Sequence, residues 1–251
     1  MNKIIDVLKK SILVFFPFLK TWYRDYLIKK SQKPFLNRTN ADIFSEVYEK
    51  KLWVENPNNQ EDFYSGSGSY GDIASEYISC VNNFIKDNNI TTITDIGCGD
   101  FKIGSQIATG NPNLKYTACD VVPSLIERNK QKFSNSNVEF KVIDGSKDPL
   151  PLSQLLTIRQ VLQHLSNKDI SAILEKTKGF PYVIISEHIF KVGLEKTYNK
   201  DKPSGPDIRL SQMSGVYIDK APFNLKVREI LRCREDIEGK EAYIVSYLIV
   251  N

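Results

Sequence analysis

The stretch Ile93-Thr-Asp-Ile-Gly-Cys-Gly-Asp100 limits most tightly what this chain can fold into. A short apolar run closes on an acid, and two glycines follow at once. Gly97 and Gly99 let the backbone turn sharply and pass close to a ligand with no side chain between. An apolar strand that feeds a glycine-rich turn and then a helix is the opening βα unit of a nucleotide-handling α/β sheet. Asp95, at the strand end, can orient the loop or meet a cationic group of a ligand.

Two further strands end the same way. About 25 residues after Asp95, Tyr116-Thr-Ala-Cys-Asp120 closes on an acid suited to accept hydrogen bonds from both hydroxyls of a ribose. Val138-Glu-Phe-Lys-Val-Ile-Asp-Gly145 ends in a third acid, placed to read an adenine edge. Open α/β sheets gather ligands at the carboxyl ends of their strands, so Asp95, Asp120 and Asp144 are expected around one pocket. Any one of them alone would read as a loop cap.

Strand and helix alternate along this region, as in a doubly wound sheet. Strands are expected at Thr92–Asp95, Tyr116–Cys119, Val138–Ile143, Leu155–Ile158 and Tyr182–Ser186. Helices fall near Asp72–Lys86, Ile103–Thr109, Ser124–Lys132 and Lys168–Lys176. Leu225–Arg234 and Ala242–Val250, joined by a polar turn, read as a terminal hairpin. The expected fold is α/β: a Rossmann-like, seven-stranded, mostly parallel sheet with a C-terminal antiparallel hairpin. Residues 1–60, broken at Pro17, Pro34 and Pro57, form an N-terminal helical cap or extension, and 61–251 the main domain.

On these residues the chain resembles the class I S-adenosylmethionine-dependent methyltransferases, over roughly residues 70 to 250. Asp95-x-Gly97-x-Gly99 matches the family's first motif, Asp120 its ribose-binding acid, and Asp144-Gly145 its adenine-side position. Phe101 stands where the fullest motif has a third glycine. Dinucleotide enzymes rely on that glycine for close helix packing, which counts against NAD. The resemblance implies S-adenosyl-L-methionine as cofactor, held by Tyr64, Asp95, Gly97, Cys98, Gly99, Asp120, Val121, Asp144, Gly145 and Arg159. The blocks Tyr64–Ser69, Arg159–Ser166, Gly205–Arg209 and Ser214–Asp219 resemble a bacterial branch associated with methylation of surface glycans and related small molecules. An RNA or protein methyltransferase and a non-catalytic scaffold are the competing classes. Against the first, Arg159-Gln-Val-Leu162 occupies the place of the Asn/Asp-Pro-Pro-aromatic motif of N-directed nucleic-acid enzymes.

The net charge of +4 marks no nucleic-acid stripe, and no nucleic-acid partner is expected. Cys80, Cys98, Cys119 and Cys233 show no metal-ligand spacing and the two histidines are far apart, so no zinc or other metal site is expected. Metal-dependent O-methylation through oxygens of Asp144 and Glu187 is the alternative. The free-thiol pattern suits a reducing cytoplasm. The apolar run Ile4–Phe18 is too short to span a bilayer. It reads as a helical cap on the domain, or as a helix on the inner membrane surface with Lys9, Lys10, Lys20, Lys29 and Lys30 at lipid headgroups.

For chemistry, the chain offers only two histidines, His164 and His188, both expected just beyond strands of the sheet. Imidazole is well suited to remove a proton near neutral pH, so both are catalytic candidates. The alternative for His164 is a structural role in its leucine-flanked loop. Arg159, ending a buried apolar run, needs a partner: an acceptor phosphate or carboxylate, or Asp95 or Glu187. Glu187, Asp207, Arg209 and Tyr217 are candidates for gripping a polar or anionic acceptor such as a sugar. Internal bridges from Arg209 to Asp207 or Asp219 are the bland alternative. The segment 202–219 reads as an ordered lid, and Tyr64–Gly71 as a loop closing over the cofactor's methionine part or a mobile linker.

Overall fold

The computed structural model describes residues 17–54 and 63–251. The chain separates into two compact units, 1–37 and 38–251, so the helix at 40–49 belongs with the larger one. In the smaller unit, α1 (Pro17–Gln32) leads into a short 3-10 turn at Lys33–Phe35, with Lys29 and Lys30 in its last helical turn. The Trp22 and Tyr26 rings stack along it at 6.0 Å. The run Ile4–Phe18 lies almost wholly outside the described residues, as does Pro57. Among the described residues, no helix is long and apolar enough to cross a membrane.

The larger unit opens with α2 (Asn40–Glu49). Thr39 caps it, its hydroxyl accepting from the Asp42 N–H at 3.1 Å, and Ile43, Phe44, Val47 and Tyr48 are buried along one side. Next comes α3 (Gly71–Asp87), whose apolar stripe Ala74, Tyr77, Ile78, Val81 and Ile85 repeats at helical spacing. Tyr77, Ile78, Val81 and Ile85 of that stripe pack with Ile93, Phe101, Tyr116, Phe140, Leu155 and Ile184 in the main core.

β1 (Thr92–Ile96), α4 (Lys102–Gly110), β2 (Lys115–Asp120), α5 (Pro123–Phe133), β3 (Val138–Val142), β4 (Leu155–Arg159), α6 (Asn167–Lys176) and β5 (Tyr182–Phe190) follow in the expected alternation. β6 (Arg228–Arg234) and β7 (Ala242–Val250) close the chain. The sheet order is β3-β2-β1-β4-β5-β7-β6, with five parallel strands and β7 antiparallel between β5 and β6. The order reverses next to β1: β2 lies on one side of it and β4 on the other. Ligands collect at such switch points.

One strand differs from its expected bounds in a way that matters. β5 continues to Phe190, four residues past Ser186, because β7 pairs with it along its whole length. His188 therefore sits inside a strand, opposite Ile244, and not beyond one.

Phe101 shows how the chain manages without a third glycine. Its backbone is left-handed, at φ 62°, a conformation costing a non-glycine residue on the order of 1–3 kcal/mol. Its ring is fully buried against Phe140, Tyr116 and Phe133, at 4.7, 5.3 and 5.4 Å. Burying an aromatic side chain contributes roughly 1.5–3 kcal/mol, enough to offset the strain. The space comes from Gly104, where a Cβ would stand 2.3 Å from that ring. The glycine needed for close packing is present, three residues later.

Candidate functional site

A cavity with about 1090 Å³ of empty space, part of it open to solvent, lies at the carboxyl ends of β1 to β4. Its floor is the turn after β1. Gly97 and Gly99 take φ 74° and 54°, and a Cβ on either would stand 2.3 Å from Val161 or 2.5 Å from the Ser65 hydroxyl. Both glycines are thus required by backbone conformation and by close approach.

Three strand-end acids meet in the wall, in different states. Asp95 accepts from the Tyr116 hydroxyl at 2.9 Å and from Thr157 Oγ1 at 2.8 Å, so its carboxylate mainly ties β1 to β2 and β4. Asp120 accepts from the Gly99 N–H and the Val122 N–H, each at 3.1 Å, which draws the β1 turn onto the end of β2. Burial, with the nearby Asp95 charge, pushes its carboxyl up to about 6 against the pull of those N–H groups. Asp144 is only partly buried. Burial acts to raise it, but hydrogen bonds from Ser146, Lys147 and Asn40 outweigh that and hold it below the usual carboxylate range.

Asp100, fully buried on the same turn, was not legible as a site residue. Its Oδ1 accepts from the Lys102 N–H at 3.1 Å, while Oδ2 is buried without a hydrogen-bond partner. Arg159 also lines the cavity. It donates to Gly68 O at 2.6 Å and Gln160 Oε1 at 3.2 Å, its guanidinium lies 5.0 Å from the Tyr77 ring centroid, and its Nε lacks a partner. It forms no ion pair with Asp95 or Glu187.

The roof comes from the N-terminal part of the unit. Asn40, Phe44 and Tyr48, at i, i+4 and i+8 on α2, line the cavity with Trp53, Ser65 and Ser69. Asn40 reaches Asp144 at 3.4 Å, and Tyr48 shares a 3.0 Å hydrogen bond with Ser65, whose hydroxyl accepts from the Asp100 N–H at 2.8 Å. Over eight residues α2 therefore passes from the β3 acid to the β1 turn. The helical spacing of these three residues was the available signal, but it carries no mark of which ligand the face covers. Tyr64 stacks on Tyr70 at 5.4 Å and does not line the cavity, whereas its neighbour Ser65 does. Cys98, Val121 and Gly145 are in the wall.

The two histidines part company. His164 lines the cavity, its ring 5.1 Å from that of Trp53, and its Nδ1 is buried without a partner. Burial, helped by the Lys202 charge, pulls it down to about 3, so it is neutral throughout the physiological range. His188 is buried in β5, where Nε2 meets Glu235 O at 2.9 Å, and it does not reach the cavity.

Glu187, Asp207, Arg209 and Tyr217 do not line the cavity either. Glu187 accepts from the Leu162 and Gln163 N–H groups at 2.8 and 3.1 Å, and burial raises its carboxyl to about 8 against those donors and Arg209. Arg209 is 1% exposed and donates to Lys200 O and to Leu165 O, making no ion pair with Asp207 or Asp219. Lys202 donates to His164 O at 3.2 Å. Tyr217 is buried, its N–H held by Asn199 at 2.8 Å. In place of an acceptor grip, the segment 202–219 supplies a packed layer behind the loop 160–167, and that loop presents Val161, His164 and Leu165 to the cavity.

Residues 94–180 match the family model of a methyltransferase domain. A 52-residue stretch, 21% of this chain, is 36% identical to a malonyl-[acyl-carrier protein] O-methyltransferase of Acetivibrio thermocellus, of which it spans only 18%. Among solved structures, the chain is similar to the N-methyltransferase NodS of Bradyrhizobium japonicum WM9 in complex with S-adenosyl-L-homocysteine. That likeness has a TM-score of 0.54 at 12% identity, over 81% of this chain and 97% of that one. A magnesium protoporphyrin IX methyltransferase of Synechocystis PCC 6803 with bound S-adenosylmethionine gives 0.50 at 9% identity, over 85% and 98%. At these identities the structural likeness is one of fold.

Proposed function

We propose, starting from the class I S-adenosylmethionine-dependent methyltransferase domain that this chain carries, that the protein methylates a hydroxyl of a small polar acceptor. The observation that carries the reading is the single cavity onto which Asp95, Asp120 and Asp144 converge. Its residues fit the cofactor. The two glycines leave room that a Cβ would fill, Asp120 keeps acceptor capacity beyond its two backbone donors, and Asp100 and Arg159 each hold an unpartnered buried polar atom. Asp120 would hold the ribose, and Asp144 with Val121 and Gly145 the adenine side. Arg159 is the one cation among the described lining residues and suits the donor carboxylate.

When bound, S-adenosylmethionine supplies a methyl group already activated on a sulfonium. The protein's work is then to align the acceptor, exclude water and take up one proton. His164 is the base in this reading. A neutral imidazole with a low proton affinity suffices, because an alcohol oxygen becomes strongly acidic as its new bond to carbon forms. A sugar hydroxyl is the first choice of acceptor, supported by the resemblance of the loop segments to glycan-directed enzymes.

Calorimetric titration with S-adenosylmethionine and S-adenosylhomocysteine tests the core of this, followed by uptake of labelled methyl into a panel of sugars and sugar nucleotides. Folded protein that binds neither ligand would sink it. On an acceptor so found, His164→Ala is expected to lower turnover roughly 10²–10⁴-fold, the usual worth of a general base. His188→Asn should leave turnover per folded molecule within about threefold, since a group acting only through packing changes stability first. The reverse ranking would reassign the base.

The state of Asp120 gives a pH dependence. Its carboxylate is the accepting form, and its pKa is raised to about 6, so protonation competes with the ligand below that value. Affinity for S-adenosylhomocysteine is expected to be level above about pH 7, to be roughly halved near pH 6, and to fall by up to about tenfold per pH unit below that. Affinity that rises on acidification would contradict this assignment.

A contact with a membrane surface is a separate proposal, supported by the aromatic and basic composition of α1, with Trp22, Tyr23, Tyr26, Lys29 and Lys30. Co-sedimentation with vesicles of anionic but not zwitterionic lipid is the expected result, and equal or no binding to both removes the idea.

A further inference from the structure

The charge of the cavity wall limits what the second substrate can be. Asp95, Asp100, Asp120 and Asp144 line it, and Arg159 is the one cation among the described lining residues. That guanidinium already serves Gly68 O and Gln160 and covers Tyr77. Lys202 and Arg209, the buried cations behind the loop 160–167, are turned to the backbone. Lys202 donates to His164 O and Pro203 O at 3.2 and 3.0 Å, and Arg209 to Lys200 O and Leu165 O. With Arg159 given to the donor carboxylate, an anionic group on the acceptor would meet four carboxyl groups and no further cation among the described lining residues.

One part of the wall is aromatic. Trp53 lies 5.3 Å from Tyr48, 5.1 Å from His164 and 6.2 Å from Phe44, ring centre to ring centre, and all four line the cavity. The uncharged hydrogen-bonding side chains of the lining include Asn40, Tyr48, Ser65, Ser69 and Gln160. Ring faces carry negative charge density, so they welcome apolar CH groups and other rings and disfavour anions. A protonated amine would be drawn by the acids, but it has no lone pair for attack on carbon and is repelled by the donor's sulfonium.

We infer that the acceptor is an uncharged hydroxyl compound presenting a flat apolar face to Trp53 and Phe44, and that phosphate- or carboxylate-bearing molecules are excluded. This rests on the methyl-donor reading above and narrows it: a neutral sugar face or an aromatic alcohol fits, a sugar phosphate does not.

The test uses the full chain saturated with S-adenosylhomocysteine and two probes of one shape, benzyl alcohol and benzyl phosphate, read by saturation-transfer NMR. Benzyl alcohol is expected to bind saturably, with the phosphate at least about tenfold weaker. Trp53→Leu should weaken benzyl alcohol by roughly tenfold while the affinity for S-adenosylhomocysteine stays within about twofold. The comparison of probes on the unaltered chain stands even if that variant folds poorly. Benzyl phosphate binding as tightly as the alcohol, or no saturable binding of either probe, overturns the inference. Failure of S-adenosylhomocysteine itself to bind is a different result, and it overturns the donor reading instead.

Discussion

Asp120→Ala is expected to weaken S-adenosylhomocysteine binding by two to three orders of magnitude. The carboxylate is the group suited to take both ribose hydroxyls, and hydrogen bonds to a charged acceptor contribute roughly 1.5–3 kcal/mol each. The substitution also removes the acceptor for the Gly99 and Val122 N–H groups, so the β1 turn loses its tie to the end of β2. Part of the loss is therefore a looser turn, and Asp120→Asn separates the two effects. Its amide offers one oxygen where the carboxylate offered two, so it should fall between alanine and the native residue. Calorimetry with a melting curve on each variant decides the matter. Wild-type affinity in folded Asp120→Ala protein would remove the cofactor from this cavity.

Arg209→Met is expected to act on stability and only secondarily on ligands. The methionine keeps much of the stem's packing but leaves the Lys200 and Leu165 carbonyl oxygens without their donor and the buried Glu187 without its neighbouring cation. Leaving two carbonyl oxygens without their charged donor costs roughly 1–3 kcal/mol each, or about 10 °C in Tm for a chain of this size. Releasing Leu165 O should also loosen the loop that carries Val161, His164 and Leu165, with a smaller fall in S-adenosylhomocysteine affinity. Had Arg209 gripped an acceptor, the same change would lower turnover and leave Tm unmoved. Differential scanning calorimetry thus distinguishes a residue that holds the loop from one that holds a substrate.

Much of the sheet could be read directly from local pattern. Buried parallel strands are short apolar runs, and each of the first five starts within one residue of its expected position. β7 has the expected bounds, Ala242–Val250, because its run is apolar almost throughout. The end of β5 was harder. Ser186-Glu-His188 looks like a polar exit, yet Ser186 is buried against Ser246 at 2.7 Å, Glu187 feeds two backbone donors, and His188 meets Glu235 O. Those partners lie 24 to 60 residues away, beyond any local signal. Arg209 misled for the same reason: an arginine in a polar loop resembles a substrate fork until its acceptors, two backbone carbonyls, are visible.

By itself the sequence determined the alternating α/β order, the three acids at strand ends and the glycine turn, since each depends on backbone geometry over a few residues. Only the tertiary structure decided that α2 roofs the cavity, that Gly104 makes room for Phe101, and that His164 faces the cavity while His188 does not. It also decided that Glu187, Lys202 and Arg209 serve the backbone of one loop. The physical reason is common to all of these. A buried polar or charged side chain must find a partner, and the chain supplies that partner from wherever the fold brings it close, not from the neighbouring residues.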